Sequence, residues 1–442
     1  MTKKYDLIIS GAGPAGLMSA IVAGENGLKT ALIERKTDMT KIIRVDGGNL
    51  SPVNEYYFGQ ITTFNPAAKK ISFPVCGFSI PYSGPYRDVY GFNVFSPGGA
   101  RITFGDRDIE KENPDKYRVG ISLDKEELLK GMLQEAEKNG ADIFPGTNVT
   151  GIEKHGETLT VTANSHTFEA PFVIAADGVN SRIARLMGMN RQRTFFATYQ
   201  DYGWTIEDVD IPEDDECITF VLTGYGTFSM LSTFKEGLFH VGSSSFNPGK
   251  HNLVQQLNKF VYEDSVYAPW FKGGRKTGEY ACICTQLSPM KEPFKDNVLF
   301  IGDAAWLQEI SNAVAACCGW KAANAVTLAL LNGKPNKEGI AGYQDWWEKY
   351  IWGPYGSMEF KPVTMQDFLN ADDIDYLAGI ITEPLERTLN FYKFFSLLGE
   401  TYGGLFPRIQ EERPDVMEKM MNLVNHMDDI EEAARKAGHA NR

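Results

Sequence analysis

A chain of 442 residues is too long for one hydrophobic core, so two or three domains are expected. Its 43% hydrophobic and 23% charged residues are those of an ordinary globular protein, and its formal net charge of -13 excludes the basic footprint a nucleic-acid partner needs. The same charge speaks against electrostatic docking on an anionic membrane, and no apolar run reads as long enough for a transmembrane segment.

Tyr5 to Arg35 reads as a βαβ unit: the apolar Leu7-Ile8-Ile9, the turn Gly11-Ala12-Gly13-Pro14-Ala15-Gly16, a run of small residues at helical spacing, and a second strand closing on Glu34. Gly11 allows the tight turn, Gly13 lets backbone approach a pyrophosphate, and Gly16 lets helix pack on strand. The helix N-terminus offers free N–H groups to phosphate, and Glu34 is placed to accept from a ribose diol. Arg35 follows, and then a loop containing Arg44, Asp46, Gly47, Gly48 and Asn49, whose adjacent glycines predict a close approach of backbone.

From Phe73 to Phe104 the Pro-, Gly- and aromatic-rich sequence predicts strands and turns of a second layer. Ser122 to Gly140 predicts an amphipathic helix with Leu123, Leu128, Leu129, Met132, Leu133 and Ala136 on one face. Strands follow at Asp142–Phe144 and Val149–Ile152, with a hairpin at Leu159–Val161 and Thr167–Phe168. Phe172 to Ala176 predicts a buried strand ending at Asp177-Gly178, with a helix beginning near Ser181. Thr194 to Gln286 is β in character, an antiparallel sheet forming one wall of a substrate chamber. Its aromatics (Phe220, Tyr225, Phe228, Phe234 and Phe239) are read as core.

Asn297 to Ile301 predicts another buried strand, ending at Gly302-Asp303 before small residues, where an acid can meet a ribityl or ribose hydroxyl. Beyond Gly342 the chain reads as helical, with Phe391–Leu398 and Val416–Ile430 as helices. Packing is the expectation for Trp346, Trp347, Tyr350, Trp352 and Tyr355. The six cysteines (Cys76, Cys217, Cys282, Cys284, Cys317 and Cys318) are too few and irregular for a secreted disulfide framework. With Met1-Thr2-Lys3-Lys4 leading straight into a strand, they predict a cytoplasmic protein with no signal peptide and no metal site.

GAGPAG with Glu34, Asp177-Gly178 and Gly302-Asp303, in this order, resemble the three fingerprints of the p-hydroxybenzoate-hydroxylase-type FAD flavoproteins. The resemblance implies an α/β fold: a Rossmann-like FAD-binding domain interrupted by a mostly antiparallel β-sheet substrate domain, with a helical C-terminal region. The implied division assigns 1–72, 105–190 and 291–340 to the FAD domain, 73–104 and 191–290 to the substrate domain, and 341–442 to the helical region. The Asp46-Gly47-Gly48 loop resembles the cysteine–glycine–glycine loop of geranylgeranyl reductases, with Asp46 where that family carries its cysteine. The segment Glu309-Ile310-Ser311-Asn312 to Gly319 lacks the proline and glycine pair of the aromatic hydroxylases; the arginine those enzymes carry is missing from its expected place near Gly120, and Arg118 stands nearest to it. The chain therefore resembles a divergent member on the reductase side.

The implied cofactor is FAD, held by Gly11, Gly13, Pro14, Ala15, Gly16, Glu34, Arg35, Arg44, Gly47, Gly48, Arg118, Asp177, Gly178, Gly302, Asp303, Asn312 and Ala313. The expected reaction is reduction or dehydrogenation of a carbon–carbon double bond in an apolar or aromatic small molecule, by hydride transfer at flavin N5. Asp46 is a candidate acid or else a turn-capping aspartate, and Cys317 and Cys318 are candidate catalytic residues on a loop near the ring or else, the plainer reading, buried small residues in a helix after Ala313. No second GxGxxG unit is present, so electrons are expected from transiently docking NAD(P)H or a protein donor. An FAD monooxygenase and a non-catalytic flavin-binding partner protein stay open as alternatives, as does a homodimer.

Overall fold

The strand Leu7–Ser10, buried along its whole length, sits third in a six-stranded sheet. In order the strands are Asp142–Phe144, Thr30–Ile33, Leu7–Ser10, Phe172–Ala175, Val298–Phe300 and Phe294–Lys295, in a computed structural model that describes residues 2–43, 48–110, 112–212, 217–246, 251–306, 311–356 and 365–423. The first five are parallel and only the edge strand Phe294–Lys295 runs the other way. The four from Thr30–Ile33 to Val298–Phe300 are buried throughout, which is why they read as unbroken apolar runs and not as alternation.

The helix Pro14–Glu25 is packed between the helices Asn312–Leu331 and Lys125–Lys138. It is buried from Ala15 to Ala23, because a helix flanked by layers on more than one side is apolar all round. A second sheet (Thr2–Lys4, His166–Ala170, Thr158–Ala163 and Val149–His155) packs against Leu7–Ser10 and Phe172–Ala175. The amphipathic helix begins later than its apolar periodicity indicates. Asp124 caps it by accepting from the amides of Glu126 and Glu127, so Leu123 ends the strand Gly120–Leu123 instead.

A seven-stranded sheet forms the second layer: Arg101–Thr103, Gly91–Phe95, Cys217–Thr223, Gly226–Ser232, Leu238–Ser245, Phe195–Glu207 and Arg275–Leu287. It is antiparallel except where Gly91–Phe95 pairs with Cys217–Thr223. The period of two divides its residues between faces. Trp204, Ile206, Phe228, Met230, Phe239 and Val241 pack under the helix Leu253–Tyr262. On the other face, Phe92, Phe220, Leu222 and Leu231 meet Phe391 and Phe394 of the C-terminal helix Phe391–Glu412. The remainder of that face carries Tyr199, Asp201, His240, Ser244 and Tyr280. Of the residues from Phe73 to Phe104, only Gly91–Phe95 and Arg101–Thr103 join this sheet; Lys70–Phe73 and Phe78–Pro81 form a small sheet of their own with Thr63–Asn65.

Trp346, Trp347, Tyr350 and Trp352 pack as expected, and the side chain of Tyr355 lies outside those described. Trp346 Nε1 donates to the Phe58 carbonyl at 3.1 Å and Trp347 Nε1 to that of Met290 at 2.8 Å, tying the helix Ala341–Trp347 to the first layer. The helix foreseen at 391–398 continues to Glu412 through Pro407. Residues 414–423 are helical, and the rest of the helix expected to Ile430 lies outside the described residues. Contrary to the expectation from composition, one helix among the described residues, Asn312–Leu331, is long and apolar enough to cross a membrane. Its apolar window is 67% buried inside the protein, as packing against Pro14–Glu25 requires.

Glu55 joins the C-terminal region to the first layer, accepting from the Thr388 hydroxyl at 2.9 Å. Burial raises its pKa to about 7, so its contribution to stability is complete below the ordinary carboxyl range and is lost as pH rises through 7. Glu55→Gln keeps the acceptor and removes the charge. It is expected to stabilise the protein by about 2 kcal/mol at pH 8 and by almost nothing at pH 4, read from denaturant melts at the two pH values.

Candidate functional site

At the C-terminal end of Leu7–Ser10 the chain turns through Gly11, whose φ is +107°; a Cβ there would lie 2.2 Å from the Ala176 carbonyl oxygen. A Cβ on Gly16 would lie 1.9 Å from the Gly11 carbonyl oxygen, so both glycines are demanded by protein packing. Gly13 differs. It caps the helix in extended geometry, Pro14 follows at the first helical position, and a Cβ on Gly13 would meet nothing within 4 Å. The space it leaves is at a helix N-terminus with no side-chain cap, where a phosphate fits. Ala15 is buried behind it, and Glu34, 7% exposed, accepts from the amides of Ala12 and Lys36, both at 2.9 Å. These bonds fix the carboxylate at the strand end, with lone pairs left for a diol. Arg35 is exposed beside it.

Asp177 follows the strand Phe172–Ala175, and Gly178 turns the chain at φ +80°. Asp177 Oδ2 accepts from the amides of Arg182 and Ile183 at 2.8 and 3.1 Å, while Oδ1 is buried without a hydrogen-bond partner. Burial pushes this carboxyl's pKa up. Gly302 and Asp303 lie in the short turn Gly302–Ala304, with Gly302 at φ +57° close to Ala15. Asn312 and Ala313 open the long helix, and Asn312 Nδ2 donates to the Asn49 carbonyl at 2.8 Å. That bond brings the Gly48 loop to the helix N-terminus; Gly48, at φ +61°, accepts from the Leu123 amide at 2.7 Å. The open cap at Gly13, the orphaned Asp177 oxygen and a second helix N-terminus at Asn312 fit FAD. Arg44, Asp46 and Gly47 lie outside the described residues.

Two expectations are corrected by the geometry. Arg118 is 2% exposed and committed to Asp88, to Asp115 at 3.0 Å and to the face of the Phe64 ring, so it braces the strand Tyr86–Val89 and is not free for a cofactor. Arg118→Met is expected to cost about 3 kcal/mol of stability by stranding Asp88, with FAD affinity unchanged in a flavin titration. Cys317 and Cys318 are not on a loop by the ring. Both are fully buried in the helix Asn312–Leu331, where Cys317 meets Cys76 and Cys318 lies beside Tyr343. Burial pushes the Cys318 thiol up to about 12, which leaves it a packing residue.

A cavity of about 560 Å³ opens between the Gly48 loop and the seven-stranded sheet, walled by Ile42, Lys125, Phe234, Leu238, His240 and Tyr280. Phe234 was expected in the core and instead faces this space. On the same sheet face, Asp201 Oδ2 accepts from the hydroxyls of Tyr199 at 2.8 Å and Ser244 at 3.1 Å, which lie 3.0 Å from each other. Asp201 Oδ1 is buried without a hydrogen-bond partner. Gly203 and Gly242 pair across the sheet and make room for the Tyr280 side chain, which lies over them: a Cβ on Gly203 would lie 2.2 Å from the Tyr280 hydroxyl, and one on Gly242 would lie 2.7 Å from it and 3.0 Å from Asp201 Oδ1. Burial pushes the pKa values of Asp201, Tyr199 and Tyr280 upward, favouring the protonated carboxyl and phenols. The available signal was Tyr199-x-Asp201-x-Gly203, a polar run at period two in a strand whose other face ends in the buried Trp204 and Ile206.

The model of the family "FAD dependent oxidoreductase" matches residues 116–321. The chain is 24% identical over 412 residues to a digeranylgeranylglycerophospholipid reductase of Methanococcus vannielii, covering 88% of this chain and 93% of the relative. Among solved structures it is similar to a geranylgeranyl bacteriochlorophyll reductase-like protein from Thermoplasma acidophilum, with a TM-score of 0.67 at 20% identity over 96% of this chain and 100% of the other. A flavin-dependent brominase superposes with a TM-score of 0.57 at 17% identity, over 94% and 93% of the two chains.

Proposed function

We propose that this chain, which is an FAD-dependent oxidoreductase similar to the geranylgeranyl reductases, adds hydrogen across a carbon–carbon double bond of a long apolar, isoprenoid-like substrate. One observation carries the reading. A carboxyl whose pKa burial raises, with one oxygen unpartnered, lies on the sheet face that walls a cavity with Ile42, Phe234 and Leu238 in its lining. Saturating an alkene requires such a proton source.

FAD, when bound, would supply the hydride. Gly13 and the helix N-termini at Pro14 and Asn312 would hold its phosphates and ring, and Glu34 and Asp177 would hold its hydroxyls. Asp201 in its protonated form gives its proton to the second carbon, and the hydroxyls of Tyr199 and Ser244 stabilise the carboxylate that results. Phe234, Leu238 and Ile42 exclude water from the substrate path. NAD(P)H or a protein donor supplies the electrons, and the site of action is cytoplasmic. The division between an FAD domain in three segments and a sheet domain in two belongs to the same proposal.

The test is anaerobic. Protein carrying dithionite-reduced FAD is mixed with a digeranylgeranyl glycerophospholipid in detergent micelles, in deuterated water. A product with added hydrogens and solvent deuterium is expected, without oxygen. A product formed only with oxygen, and carrying an oxygen atom, overturns the reading in favour of a monooxygenase.

A further inference from the structure

We propose that Cys76 and Cys317 are a redox-active dithiol that closes to a disulfide on contact with a peroxide, fastening the hairpin of Cys76 to the helix Asn312–Leu331. The site stands apart from the reaction proposed above and does not depend on it.

The two sulfurs are 3.4 Å apart although the residues are 241 positions apart in sequence. Closing the bond needs only about 1.4 Å of approach. Cys76 lies in the turn between Lys70–Phe73 and Phe78–Pro81, where its amide donates to the Phe73 carbonyl at 3.0 Å. The hairpin is already seated on the helix. Phe78 stacks on Trp320 at 5.6 Å and on Phe73 at 4.3 Å, so Cys317 and Trp320 meet the hairpin from adjoining turns of one helix.

The two thiols are unequal. Cys76 is 9% exposed and follows Val75, which is 55% exposed, so an oxidant reaches it from the surface; Cys317 is fully buried behind it. The Cys317 S–H and the Lys321 cation hold the Cys76 thiol down to about 7, against the effect of burial. Tyr56, whose hydroxyl meets that of Tyr350 at 3.3 Å, also lies within electrostatic reach of Cys76.

Cys76 as thiolate attacks one peroxide oxygen. The S–O bond forms, the O–O bond breaks, and hydroxide leaves to become water. The Cys317 sulfur then displaces the hydroxyl of the sulfenic acid, its proton leaving in a second water. Two thiols lose two electrons and one peroxide gains them.

The full-length FAD-loaded protein is treated with hydrogen peroxide at pH 6 and pH 8, alkylated and mapped by peptide mass. The expected product is a single Cys76–Cys317 cross-link, formed faster at pH 8, reversed by dithiothreitol, and accompanied by a rise of about 5 °C in thermal midpoint. Cys317→Ser should leave a sulfenic acid at Cys76 that dimedone traps, and Cys76→Ser should leave Cys317 unreacted. Wild-type protein in which Cys76 is over-oxidised while Cys317 stays alkylatable overturns the proposal, as does a disulfide through Cys282, Cys284 or Cys318. Mapping of the wild type decides even where a variant does not fold.

Discussion

Gly13→Leu is expected to give a folded, colourless protein. Its neighbours Gly11 and Gly16 are glycine because protein backbone stands where their side chains would be, at 2.2 and 1.9 Å. A Cβ on Gly13 meets no protein atom within 4 Å, and its φ of -77° suits any residue. The chain alone therefore has no use for glycine at this position; the space belongs to what binds there. A leucine would stand between the pyrophosphate and the amides of the helix that begins at Pro14. Losing that contact should cost about 4 kcal/mol of binding, or roughly a thousandfold in Kd. Thermal unfolding of the cofactor-free protein should move by less than about 2 °C. Gly16→Ala is the contrasting control, since its Cβ collides with the Gly11 carbonyl and folding itself should fail. A yellow Gly13→Leu protein with ordinary flavin affinity would remove the cofactor assignment from this turn.

The contrast between those glycines also marks how far sequence reading reaches. The βαβ unit was legible because strand, turn, helix and acid are contiguous, and each residue type answers a local demand of backbone geometry. Asp177 and Gly302 were legible for the same reason, each closing a buried strand. The Asp201 cluster was not. Tyr199, Ser244 and Tyr280 meet only because the register pairs Asp201 with Ser244 and Gly203 with both Gly242 and Tyr280. Register is a property of three strands together, and a single strand's pattern does not specify its partner. Arg118 shows the opposite failure: it stood nearest to the place of an expected cofactor arginine, but Asp88 across the strand pair had already engaged it. Cys317 and Cys318 read as an odd vicinal pair, whereas the helix separates them, one towards Cys76 and the other beside Tyr343.

Asp201→Asn is expected to slow saturation of the double bond by about a hundredfold to ten-thousandfold, the range over which a positioned general acid acts. FAD binding and reduction by dithionite should be unchanged. Asparagine keeps the shape and the acceptor for Tyr199 and Ser244 but has no proton to give. The sign of the pH dependence follows from burial, which raises this carboxyl's pKa while the two hydroxyl donors pull it back. The competent form is the protonated one, so the wild-type rate should fall as pH rises through that raised value, and the asparagine variant's residual rate should be flat there. Tyr199→Phe and Ser244→Ala each remove a donor to the carboxylate. Their descending limbs should move to higher pH, a shift that a purely structural role does not produce. Asp46→Asn separates the two acids, because Asp46 was the candidate nearest the cofactor loop in sequence. If Asp201→Asn turns over at the wild-type rate while Asp46→Asn loses the descending limb, the proton comes from the loop and the sheet cluster serves only to shape the chamber.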